Sequence, residues 1–385
     1  MLTIEVLDGP EEWHRLIKLW REAGCSEKES RLLAARHAAV TISLSGSVSD
    51  DFTRQALREG LTVWPSNGST HLAGSVTALQ ALLMRWPGDT DLRLARELAA
   101  AFDVSWSLDA CPIDFSSPLL MGILNTTPDS FSDGGRYSTV EKAVRRALDM
   151  VEQGAQIVDV GGESTRPGSS AVSVEEELRR VIPAIRAIRE RSDVLISVDT
   201  QKPQVAEEAL AAGANWINDI SGLRDPDMLA LAARTKAPVV VMHMQGTPRT
   251  MQQDPSYKEV VAEVLSWLDD TCRRAQRAGL SPQQLIIDPG IGFGKTTEHN
   301  LELLKRLRDF RTLGYPVLVG TSRKSVIGNV LNLPLDQRLE GTAASVSIAV
   351  WEGADVIRVH DVQAMRRVID MTQAMKTGAI GGSST

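Results

Sequence analysis

From Leu119 onward the chain alternates short runs rich in β-branched residues with longer stretches of helical periodicity, and it does so eight times. The runs are LLMGILN from Leu119, QIVDVGG from Gln156, VLISVDT from Val194, NWINDIS from Asn215, PVVVMHM from Pro238, QLIIDPG from Gln284, PVLVGTS from Pro316 and DVIRVHD from Asp355. Most are continuously apolar, as strands buried on both faces must be, and strands that alternate with helices pair in parallel. Eight such units with no N-terminal Gly-rich dinucleotide fingerprint predict a closed (β/α)8 barrel, the TIM-barrel class of α/β fold; a flavodoxin-like open sheet would leave two or three units over. Helix starts are also signalled. Ser138 with Glu141, and Ser173 with Glu176, read as capping boxes for the first two helices, and Pro183 inside the second predicts a kink.

A barrel uses about 250 residues, and the chain has 385, so a second domain is expected. Residues 1–115 read as a small, acidic, Trp-rich α+β domain. Helical patterns cover Glu11–Ala23, Glu27–Ala38, Asp50–Arg58, Ser75–Trp86 and Asp91–Phe102, with strand candidates at Ala39–Leu44, LTVWP and HLAG. The segment SLDACPIDFSSP reads as the linker, 116–378 as the barrel and 379–385 as a flexible tail. No apolar run reaches the roughly 20 residues of a membrane span, and MLTIEVLDGPEEW has no basic stretch before an apolar one, so the cytoplasm is expected. A net charge of −7 without a Lys/Arg block argues against a nucleic-acid partner. Cys25, Cys111 and Cys272 are too widely spaced to suggest a disulfide framework or a zinc site.

Parallel barrels place their chemistry at the C-terminal strand ends. The first run ends in Asn125 followed by the polar turn TTPDSFSDGG; the Asn125 oxygen suits Mg²⁺ or an Asx turn, and Thr126, Asp129, Ser130 and Asp133 suit a cap or a substrate contact. After the second run Thr165 and Arg166, between glycines and Pro167, form a loop that can close on a phosphate or carboxylate or stay solvated. Asp199, Asn218, Asp219 and Asp288 supply acceptors for the paired N–H donors of an aminopyrimidine edge, although Asp199 could also cap a helix. Met242 and Phe293 offer apolar walls, and Arg323, Lys324, Ser325, Arg358 and His360 offer a cationic cluster for an anionic leaving group. His243 and His299 read as structural.

MGILNTTPDSFSDGG, DVGGESTRPGS, SVDTQKP, NDISG, IIDPGIGFGK, GTSRKS and IRVHDV, in this order and spacing, resemble the bacterial dihydropteroate synthases over about Leu119 to Lys376. The resemblance implies an enzyme of folate biosynthesis, a sulfonamide target, that joins 6-hydroxymethyl-7,8-dihydropterin diphosphate to p-aminobenzoate. It assigns pterin binding to Asp199, Asn218, Met242, Asp288, Phe293, Gly320 and Lys324, and the diphosphate to Asn125, Arg358 and His360, with Mg²⁺ on Asn125. It assigns p-aminobenzoate to Thr165, Arg166, Pro167 and Ser325, and catalytic parts to Asp199, Asp288, Lys324 and Asp133. Thr126 stands where many members have an apolar residue. Family habit also implies a homodimer. The pterin-dependent methyltransferases share the acidic and amide groups but need no diphosphate site, and a storage or regulatory pterin module needs no chemistry at all.

Overall fold

In the computed structural model the described residues are the barrel segments 117–126, 136–164, 172–313 and 315–377, and a few short elements before them. The chain divides into two units, Met1–Ser105 with Asp309–Gly314, and Trp106–Arg308 with Tyr315–Thr385. Within the first, strands Leu2–Glu5, Val40–Ser45, Ser69–Gly74 and Thr62–Ser66 form an antiparallel sheet in that spatial order. The Asn67-Gly68 dipeptide between the last two is the residue pair most favoured in a two-residue hairpin. Leu2–Glu5 carried no expectation of a strand, and the helices expected before residue 50 and after residue 74 lie outside the described residues. Inside the expected linker, Ser107–Leu108 pairs with Cys111–Pro112.

The second unit is the barrel. Its strands are β1 (Leu119–Asn125), β2 (Ile157–Gly161), β3 (Leu195–Asp199), β4 (Trp216–Asp219), β5 (Val239–Met242), β6 (Leu285–Asp288), β7 (Leu318–Val319) and β8 (Val356–Val359). They pair in parallel in chain order, β8 returns to β1, and a bridge between Ile287 and Val317 closes the ring. The helices are α1 (Arg136–Glu152), α2 (Val174–Arg189), α3 (Pro203–Ala211), α4 (Pro226–Thr235), α5 (Val260–Arg277), α6 (Thr297–Lys305), α7 (Ser325–Leu331), α8 (Leu339–Trp351) and α9 (Val362–Thr377). Among the described residues no helix is long and apolar enough to cross a membrane.

Strand alternation separates two cores. Val158, Val160, Ile196 and Val198 face outward and pack on Val144, Ala147, Val181 and Ile185 of α1 and α2. The intervening residues Ile157, Trp216, Val240, Ile286, Leu318 and Val356 meet inside the ring with Met121 as an apolar floor. Each large side chain buried in this way contributes about 1.5–3 kcal/mol.

Ser173 caps α2 as expected, accepting from Glu176 N–H at 3.2 Å, while the Glu176 carboxylate turns to Arg179 and Arg180. The helix runs through Pro183 without interruption. In contrast, α1 begins at Arg136, two residues before the expected Ser138 cap, so its first turn absorbs that residue. The seventh strand is much shorter than PVLVGTS, because Asp355 takes over part of the pairing: its Oδ2 accepts from Val317 N–H at 2.8 Å. Cys272 is free and buried on α5, and burial pushes its thiol up to about 12, which suits a packing residue.

Candidate active site

A strand returns to the same face every second residue, so the floor determines what stands above it. Two residues beyond Ile157, Leu195, Trp216, Val240, Ile286, Leu318 and Val356 come Asp159, Ser197, Asn218, Met242, Asp288, Gly320 and Arg358. One inward step higher stand Asn125 on β1 and Asp199 on β3. Register sets Asp159 beside Ser197, Asn218 beside Asp199 and Met242 beside Asp288. A hydrophobic floor thus carries a polar ring that opens at the C-terminal mouth.

Arg358 organises this ring. Its Nε donates to Asp159 Oδ2 and its Nη2 to Asp199 Oδ2, each at 2.6 Å, and Asn218 Nδ2 donates to the same Asp159 oxygen at 3.1 Å. Asp199 is therefore committed to Arg358 and the mouth, and Lys202 occupies the N-cap position of α3 in its place. Burial raises the Asp199 pKa to about 7; Arg358 opposes the rise, and Asp159, Glu177 and Asp219 add to it. Burial works against the Arg358 charge, but the Asp159 and Asp199 carboxylates outweigh it and hold its pKa above the ordinary value.

Asp288 and Lys324 form the second pair of opposite charges. Burial raises the Asp288 pKa, while Lys324, the Gly290 N–H at 2.7 Å, Lys295 and Arg358 counter it. Burial lowers the Lys324 pKa to about 8, with Asp288 opposing. Lys324 Nζ donates to the Ile291 carbonyl and stands 4.6 Å from the centre of the Phe293 ring. That ring packs with Met242, Met244, Met251 and Ile220. The expected apolar wall is therefore assembled, with Phe293 beside the Lys324 cation and Met242 beside Asp288. At Gly320 a Cβ would lie 3.6 Å from Arg358 Cβ and 3.8 Å from Lys324 Nζ, so glycine keeps the space between these cations open.

The remaining expected residues divide three ways. His360 is oriented by Ser322, whose hydroxyl accepts from its backbone N–H at 3.2 Å and lies 3.0 Å from its Nδ1; Ser325 is exposed as the first residue of α7; and Asn125 is half-buried at the mouth. Asp133, Thr165, Arg166 and Pro167, with Asp129 and Ser130, lie outside the described residues. Two expectations are corrected. Arg323, counted with the cations of the leaving-group site, is left-handed at φ 59° and points its Nε at Asp361 Oδ2, 2.9 Å away. Asp219 lies on the outward face next to Asn218, so its carboxylate caps its own turn through Ser221 N–H and Leu223 N–H, both at 2.8 Å. Buried Thr126 donates to the Gly161 carbonyl at 3.1 Å, which joins the exits of β1 and β2 and gives the hydroxyl a use no apolar residue could supply.

Sequence reasoning passed over Asp159, fully buried, whose only sign was a charged residue at an inward position of an otherwise apolar strand. It also passed over Lys202, which bridges Glu163 and the buried Glu177; Glu163 in turn accepts from Val172 N–H at 3.3 Å. That network anchors the chain just after β2 and just before α2. Among the described residues no group of three His, Cys, Asp or Glu side chains could hold a metal.

The sequence between residues 121 and 360 matches the model of the pterin binding enzymes. The chain is 51% identical to the dihydropteroate synthase of Escherichia coli K12 over 268 residues, which are 69% of this chain and 95% of that protein. Its structure is similar to that of Yersinia pestis dihydropteroate synthase in a sulfonamide drug complex, with a TM-score of 0.66, 44% identity and coverage of 69% of this chain and 96% of the other. It is likewise similar to the Xanthomonas albilineans enzyme with 4-aminobenzoic acid, with a TM-score of 0.65, 46% identity and coverage of 69% and 95%. A polar ring over an apolar floor, on a sequence this close to those enzymes, leaves one assignment: the chain belongs to the pterin-binding enzymes, in their dihydropteroate synthase family.

Proposed function

We propose that the chain joins 6-hydroxymethyl-7,8-dihydropterin diphosphate to p-aminobenzoate, giving 7,8-dihydropteroate and pyrophosphate. The observation that carries this reading is the pairing of acceptors with cations around one slot, Asp199, Asn218 and Asp288 against Lys324 and Arg358. The carboxylates and the Asn218 amide accept and donate along the aminopyrimidine edge, and Met242 and Phe293 hold the faces of the ring. With the pterin so fixed, the bond from its exocyclic methylene to oxygen breaks and the electron pair leaves on the diphosphate. Arg358 and His360 stabilise that charge, and Asp199 and Asp288 stabilise the pterin cation left behind. The lone pair of the neutral arylamine then forms the C–N bond, and the amine proton is lost to water.

Asn125 offers one hard oxygen at the mouth, a donor set that suits Mg²⁺ completed by diphosphate oxygens and water. When bound there, Mg²⁺ would neutralise the leaving charge. Thr165, Arg166, Pro167 and Ser325 are proposed for p-aminobenzoate, with Asp133 proposed to help the loops after β1 and β2 close over it. The reading also carries a cytoplasmic homodimer, supported by exposed apolar side chains on the last two helices, Ile348, Trp351, Met371 and Met375.

The test is pyrophosphate release with both substrates present, inhibited by a sulfonamide. Lys324→Ala and Asp288→Asn should each abolish most turnover while the barrel stays folded. Methyl transfer to a corrinoid without pyrophosphate release would sink the proposal in favour of the methyltransferases, and pterin binding without turnover would favour a storage module.

A further inference from the structure

The loop from β6 to α6, DPGIGFGK, ends in a lysine to which the reaction above gives no part. Lys295 is 2% exposed and its Nζ is held by neutral groups; burial lowers its pKa to about 7, with Asp288 opposing and Lys324 adding to the fall. Its Nζ lies 2.9 Å from His243 Nδ1 and donates to the carbonyls of Phe293 at 2.9 Å and of His243 at 3.3 Å. Burial, with Lys295 and Arg224 adding to it, lowers the His243 pKa to about 2, so its imidazole is neutral and Nδ1 accepts. The loop is pressed against the same strand end by its backbone. Gly290 has φ 69°, and a Cβ there would come within 1.9 Å of the His243 carbonyl oxygen.

A buried lysine amine is costly to desolvate and rarely kept for packing alone. The position of this one shows what it serves. It grips the main chain of Phe293, whose ring packs with Met242 on one side and lies under Lys324 Nζ on another. It also acts on Asp288, whose charge it favours.

We infer that Lys295 is a positioning residue of the pterin slot, tying Phe293 to the end of β5 so that the ring wall, Lys324 and Asp288 keep a fixed mutual geometry. The inference rests on the proposed pterin substrate and deepens it by naming what holds the slot open.

The test uses the full chain with Lys295→Met, Phe293→Ala and the double variant. Lys295→Met should raise the KM for the pterin diphosphate by about tenfold or more and leave the KM for p-aminobenzoate within about twofold. The calorimetric affinity for 6-hydroxymethylpterin should fall in parallel. Because both residues act through one ring, adding Lys295→Met to Phe293→Ala should cost less than about twofold more. If Lys295→Met does not fold, His243→Phe, which removes one acceptor and keeps the lysine, should give the same split at smaller size. Equal shifts in both KM values, a lower melting temperature with unchanged pterin affinity, or fully multiplicative effects in the double variant would each overturn the inference. Failure of the unaltered chain to release pyrophosphate would instead defeat the proposed activity, while calorimetry would still report on Lys295.

Discussion

Asp199 and Lys324 face one slot with pKa values drawn toward each other, to about 7 and about 8. The charged form of each is the one that binds, so activity falls as pH drops through the Asp199 value and falls again as pH rises through the Lys324 value. The profile of kcat/KM should be a narrow bell with limbs near those two values, which as a coupled set belong to the site as a whole. Asp199→Asn should lose the acid limb; an unchanged limb in that variant would assign it elsewhere. Asp159 holds both Arg358 and Asn218 through one oxygen. Asp159→Asn is therefore expected to cost about 1.5–3 kcal/mol in stability and to weaken pterin binding, measured by denaturant titration and calorimetry. A variant as stable as the parent, with the same pterin affinity, would show that Asn218 and Arg358 hold their places without it. At this scale the strand-end residues were readable because strand ends in a parallel barrel converge. Asp159, Glu177 and Lys295 were not, because their value lies in partners 199, 25 and 52 positions away along the chain.

At the scale of elements, the eight strands were legible because burial on both faces writes itself as uninterrupted apolar runs. Their lengths were not. The seventh run contributes two residues to a strand, since the side chain of Asp355 substitutes for ladder bonding at Val317. Helix starts succeeded where the cap is a local bond, as at Ser173, and failed where helix propagates upstream of a plausible cap, as at Ser138. The loop after β6 is the element most dependent on one conformation. Gly290→Ala would place a methyl group against the His243 carbonyl at a left-handed φ, so a loss of more than about 3 kcal/mol is expected, together with loss of pterin affinity. A fully stable Gly290→Ala variant would mean that the loop has room to move away from β5.

For the whole molecule, the ring closes on itself through Ile287 and Val317 and has its own inner and outer cores. The Escherichia coli relative is matched over 95% of its length by 69% of this chain. A chain beginning at Trp106 should therefore fold with a cooperative transition and release pyrophosphate; aggregation of that shorter chain would show that residues 1–105 cover barrel surface. The first unit was the least legible, because a strand as short as Leu2–Glu5 alternates over only four residues, too few to stand out before its partner is known. The floor of the barrel has an optical consequence. Trp216 is fully buried, its indole N–H has no hydrogen-bond partner among the described residues, and it lies one inward step, about 7 Å, below Asn218. An indole so sheltered emits at the blue edge of the tryptophan range, where reduced pterins absorb. A pterin seated on Asn218 would quench this one indole of the chain's eight, so the part of the fluorescence loss that disappears in Trp216→Phe reads whether the slot is filled.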